Sequence, residues 1–82
     1  MDKNFLKNSK QLFKAMMDVK LSQINDKSLL EYHRKCHMLY AGNLKRKPIN
    51  KSFINSVVSF HDRIVKEMER RKFRHNSPLK KI

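Results

Sequence analysis

A chain of 82 residues holds one small domain. Its single cysteine excludes an internal disulfide framework, and no run approaches the roughly 20 apolar residues of a membrane span. Twenty Lys and Arg against seven Asp and Glu give a net charge of +13, which favours phosphate-rich partners and leaves an anionic membrane or an acidic protein open. The start of the chain has no apolar core of a secretory signal. The expected setting is therefore intracellular, cytoplasmic or nucleoid/nuclear, and not secreted.

The first periodic segment runs over about residues 3–19. Phe5, Leu6, Leu12, Phe13, Met16 and Met17 fall on one stripe at helical spacing, with Lys3, Lys7, Lys10 and Lys14 mostly opposite. The lysines repel one another, so this helix needs packing to persist. Leu21 to Lys27 reads as a break, because Asn25 and Asp26 are turn and cap formers.

Ser28-Leu29-Leu30-Glu31 matches a capping box and predicts a second helix over about residues 27–41. Gly42, the only glycine, stands where a left-handed C-terminal cap is expected. Leu29, Leu30, Cys36, His37 and Tyr40 form the expected inward side, with His33 a further candidate. Pro48 disfavours helix at Lys47, so residues 43–50 form a loop.

The third helix spans about residues 50–72 and carries the strongest pattern. Phe53, Ile54, Val57, Val58, His61, Ile64, Val65 and Met68 recur at helical spacing. Asn76-Ser77-Pro78 ends any helix, and residues 73–82 form a short basic tail whose Leu79 and Ile82 are able to fold back. The expected fold is all-α: a small three-helix domain, an antiparallel helix pair plus an N-terminal helix. The N-terminal helix either covers the open face of the pair or swaps onto another chain, so a homo-oligomer is open.

Cationic clusters carry the functional reading. Lys45, Arg46 and Lys47 precede the third helix, Arg70, Arg71, Lys72 and Arg74 follow it, and Lys80 and Lys81 lie in the tail. The first two clusters stand ~30 Å apart along that helix. The expected role is a small, non-enzymatic nucleic-acid-binding protein, DNA or RNA, that neutralises phosphates with weak sequence preference. Size and composition suit a viral or mobile-element accessory factor. The alternative is an adaptor or inhibitor that docks its basic surface or first helix on an acidic protein. Tyr32 and Phe73 are the aromatics available to stack on bases, with core the stronger reading for Phe73.

His33 and His37 share a helix face with Cys36 between them, and His61 lies on the inward stripe of the third helix. A metal site needs neutral imidazoles converging from the two helices, with Cys36 or Glu67 completing a tetrahedron. No H-E-x-x-H or paired C-x-x-C motif is present, so the reading adopted is structural. His37 and His61 are then half-buried and hydrogen-bonded to Glu31, Asp62 or the backbone, with no metal and no cofactor expected. General acid–base chemistry on RNA is a further reading, but no nucleophile is legible.

The segment LLEYHRKCHMLY, followed by a helix ending EMERRKFRHNSPL, is similar in layout to the helical scaffold of pyrimidine-dimer DNA glycosylases. The resemblance covers about half the chain and implies a scaffold only. That family uses an N-terminal threonine amine as nucleophile, and position 2 here is Asp2.

Overall fold

The computed structural model describes residues 2–45, 48–74 and 79–82, with side chains in the first helix from Lys10 onward. The expected contributions of Phe5, Leu6, Lys3, Lys7, Arg46, Lys47, His75 and the Asn76-Ser77-Pro78 stop lie outside the described residues. Three α-helices are present, α1 (Asp2–Met17), α2 (Asp26–Leu44) and α3 (Lys51–Arg70), with a short 3₁₀ turn at Leu21–Gln23. No strand occurs among the described residues.

The caps explain where α2 and α3 begin. Asn25 accepts a hydrogen bond from the Ser28 amide at 2.8 Å, and Asn50 accepts one from the Phe53 amide at 3.0 Å. Each amide side chain thus satisfies a donor that the first helical turn leaves open. For α2 this corrects the expected capping box. Ser28 is the third residue of the helix, and Glu31 pairs with Arg34 instead.

The far end of α2 departs from expectation more strongly. The helix passes through Gly42 and ends at Leu44, and no glycine adopts positive φ among the described residues. Asn43 is buried and its side-chain amide donates to the Leu39 carbonyl at 2.8 Å. Burying Asn43 with its polar group satisfied offsets the roughly 1 kcal/mol that glycine costs inside a helix.

Helix α3 ends in a Schellman motif. The Phe73 amide bonds to the Met68 carbonyl at 2.8 Å and the Lys72 amide to Glu69 at 2.9 Å. Lys72 takes the left-handed position, with φ 66°. Phe73 packs against the core, the hydrophobic contact that accompanies this motif, so the core reading of Phe73 holds. A β-carbon is costly at that φ. Lys72→Gly should therefore stabilise the fold by about 0.5–1 kcal/mol, read as a higher urea midpoint at unchanged slope.

Helices α2 and α3 are antiparallel. The start of α2 meets the end of α3 through Arg71 and Asp26, and the two centres meet through His37 and His61. The third helix, α1, packs on this pair within the same chain through buried Phe13 and Met16. The Phe13 ring stands edge-on to Phe53 and Phe60, with centroids 5.5 and 5.6 Å away. The quadrupoles of aromatic rings favour that arrangement.

Three residues assigned to the inward faces point elsewhere. Leu12, Met17 and Leu30 are 39%, 44% and 43% exposed. A three-helix body of this size covers only a narrow stripe of each helix, and these positions fall at its margins. Residues 80 and 82 return to the helices through polar contacts, and the Ile82 side chain, against expectation, stays 45% exposed and does not join the core. Asn55 brackets Ile82, donating to its carbonyl at 3.0 Å and accepting from its amide at 2.9 Å, while Tyr40 donates to the Lys80 carbonyl at 2.7 Å.

Candidate functional site

Two features outside ordinary core packing stand out: a cluster of imidazoles between α2 and α3, and a cationic stripe on the outer face of α3. The imidazole cluster follows from spacing on one helix and rotation of the other. His33 and His37 lie one turn apart on α2, and His61 faces them from α3, itself 1% exposed. Nε2 of His37 lies 3.2 Å from Nε2 of His33 and 3.1 Å from Nε2 of His61. The three ring centroids are 4.6–5.0 Å apart. One nitrogen from each ring falls within 4.8 Å of the other two.

The three histidines are thus partners of one another. Cys36 does not join them. Its side chain is fully buried in the hydrophobic core, and burial pushes its thiol up to about 12. Such a group stays protonated and is inert as a ligand or nucleophile. Glu67 is also withdrawn, because it is held by two arginines.

That arginine pair settles where the cluster after α3 goes. Arg71 is only 13% exposed in its side chain. Its guanidinium donates to Glu67 at 2.8 Å, to Asp26 at 2.9 Å, and to the carbonyls of Leu21 and Ile24 at 2.9 and 2.7 Å. A planar group with five donors suits this role, and it staples the α1–α2 connection to the end of α3. Arg70 also pairs with Glu67 but remains 62% exposed. Hydrogen bonds from Arg70 and then Arg71 hold the Glu67 carboxyl down at about 2. Lys45, Lys72, Arg74, Lys80 and Lys81 are exposed.

The outer face of α3 carries a stripe that the end clusters concealed in the sequence. Ser52, Ser56, Ser59, Arg63, Lys66 and Arg70 recur at alternating spacings of four and three. They share an arc of about 80°, some 27 Å long. All six are exposed; Glu67, Asp62 and Glu69 border the stripe, and Glu67 is paired with its member Arg70. An open groove of about 490 Å³ follows its first half, lined by Ser52, Asn55, Ser56, Ser59 and Arg63 with Met17 and Lys81. Lys10 and Lys14 of α1 overlook the same serines, and Lys20 joins Arg63, Lys66 and Arg70 further along. The signal available in the sequence is the alternating spacing of four and three that places these serines and cations on one helix face.

The aromatics are mostly committed elsewhere. Tyr32 packs against the core with the Lys35 ammonium 5.9 Å from its ring centroid, and Phe60 carries the Arg63 guanidinium at 5.5 Å. Base stacking on an aromatic platform is thus not built into this face. No helix among the described residues is long and apolar enough to cross a membrane. Comparison with family models, curated proteins and solved structures finds no match for this chain. The similarity of layout to pyrimidine-dimer glycosylases therefore has no counterpart there.

Proposed function

We propose that this chain binds nucleic acid through the phosphate backbone, with little reading of base sequence. The observation that carries the reading is the exposed stripe of serines and cations on α3, flanked by Lys10, Lys14 and Lys81, on a body of net charge +13. Ser52 and Ser59 line the groove beside Arg63 and Lys81, hydroxyl and cationic donors of the kind that phosphate oxygens accept from, while Asn55 is engaged with Ile82 and the Ser56 hydroxyl with the Ser52 carbonyl. Three of the seven acids, Asp26, Glu31 and Glu67, are tied to arginines, which leaves few to oppose a polyanion. This reading sets Arg71 aside, adds Arg63 and Lys66 to Arg70, and keeps Lys45, Lys72, Arg74, Lys80 and Lys81 as outlying contacts.

Fluorescence anisotropy with duplex DNA, single-stranded DNA and RNA tests it. Six to ten phosphate contacts give a loss of roughly 10³–10⁵ in affinity between about 50 and 200 mM salt. The double variant Arg63→Gln, Lys66→Gln should lower the salt slope by about two, one for each contact removed. Binding no tighter than micromolar to every probe at the lower salt would overturn the proposal and direct the search to an acidic protein partner.

A further inference from the structure

We propose that His33, His37 and His61 form a tris-imidazole site for a divalent transition metal, with Zn²⁺ the preferred ion. The argument is independent of the nucleic-acid reading. Zinc–nitrogen bonds of about 2.0–2.1 Å at tetrahedral angles set nitrogen–nitrogen edges of about 3.3–3.4 Å. The observed Nε2 separations of 3.2 and 3.1 Å differ from that edge by only a few tenths of an ångström. One nitrogen of His33 and one of His61 lie within 4.8 Å of each other, so binding closes this third edge by ring rotation and requires no rearrangement of helices.

The donor set selects the metal class. Three imidazoles with no carboxylate oxygen suit Zn²⁺, Co²⁺, Ni²⁺ or Cu²⁺ rather than Mg²⁺ or Ca²⁺. The only cysteine is buried away as a neutral thiol, so a thiolate-dependent soft-metal site is excluded. The protein supplies three ligands, and the fourth tetrahedral position falls to water or an added donor. His33 and His37 are half-buried while His61 is buried, which gives an ion a route in from the α2 side.

Binding has a definite proton requirement. Each Nε2 must offer a lone pair, so a ring protonated there moves its proton to Nδ1, and any imidazolium releases one to solvent. Metal uptake should weaken as pH falls. Bound metal joins α2 to α3 at their centres and should stabilise the native state by mass action.

The test uses the full, untagged chain after treatment with a chelator. Calorimetric titration with ZnCl₂ should show one site, and Zn²⁺ should raise Tm. Co²⁺ should give the intense visible ligand-field absorption of a tetrahedral site. His33→Ala and His37→Ala change half-buried residues and should leave the far-UV circular dichroism intact. Each should weaken Zn²⁺ binding by about 100-fold or more and abolish the rise in Tm. If folded His33→Ala and His37→Ala bind Zn²⁺ as the parent does, or if binding depends on His75 alone, the site is elsewhere and the proposal fails. Failure of the parent chain to bind either ion overturns it equally, and leaves the cluster as a hydrogen-bonded packing element.

Discussion

Phe60→Ala should cost about 3–5 kcal/mol, a large part of the roughly 4–12 kcal/mol that a chain of this length commands. The side chain is 1% exposed and fills the junction of all three helices. The Phe13 ring stands edge-on to it, and that contact anchors α1, whose other deeply buried residue among the described side chains is Met16. Removing the ring deletes its own transfer free energy, leaves a cavity, and takes away a partner of Phe13. Its neighbour on the stripe, Arg63, also rests on Phe60, so the cationic face is built directly on the core. Urea unfolding followed by far-UV circular dichroism measures the loss. A cost under about 1 kcal/mol would mean that α1 does not depend on this junction. Phe60→Leu retains most of the volume and should cost distinctly less.

Arg71→Ala should lower Tm by an amount of the order of 10 °C, although Arg71 looks from the sequence like one more surface cation. The change leaves Glu67 with one arginine fewer, and it strips the carbonyls of Leu21 and Ile24 of their donor. The same staple predicts an acid limb. The Glu67 carboxyl is held at about 2 in the folded chain by Arg70 and Arg71, well below its ordinary value near 4.5. A carboxyl depressed on folding contributes stability above its unfolded pKa, and loses it as pH falls toward the folded one. Stability should therefore decline from about pH 5 down to about pH 2. Glu67→Gln should be less stable than the parent at pH 7 and should converge on it across that window. Parallel pH profiles for the two chains would show that the ion pairs contribute nothing. Arg71→Ala should leave the salt slope of nucleic-acid binding unchanged, which separates its role from that of Arg63 and Lys66.

The three helices were legible in the sequence because their signals are local. Apolar spacing marks each helix, and Asn25, Asn50 and Pro48 mark boundaries within a turn or two of where they fall. Two local readings failed for local reasons. Gly42 continues the helix because its neighbour Asn43 gains a buried, satisfied position, and Asn25 outcompetes Ser28 as the cap. The exposure of Leu12 and Leu30 has a different cause. Periodicity defines a face to within some tens of degrees, and packing against neighbours decides which margin of that face is covered.

The sequence by itself determined a small, strongly basic, all-α chain whose His33 and His37 share one face. Those properties depend on composition and on the 3.6-residue repeat, which act within a helix. Only the tertiary structure decided that His61 meets that pair, that Arg71 is a staple, and that the face of α3 bearing Arg63, Lys66 and three serines is left open. His61 lies 24 residues from His37, and Arg71 lies 45 from Asp26. Contacts across such separations are set by how α1, α2 and α3 rotate to bury Phe13, Phe60 and their neighbours, and that rotation is a property of the packed core.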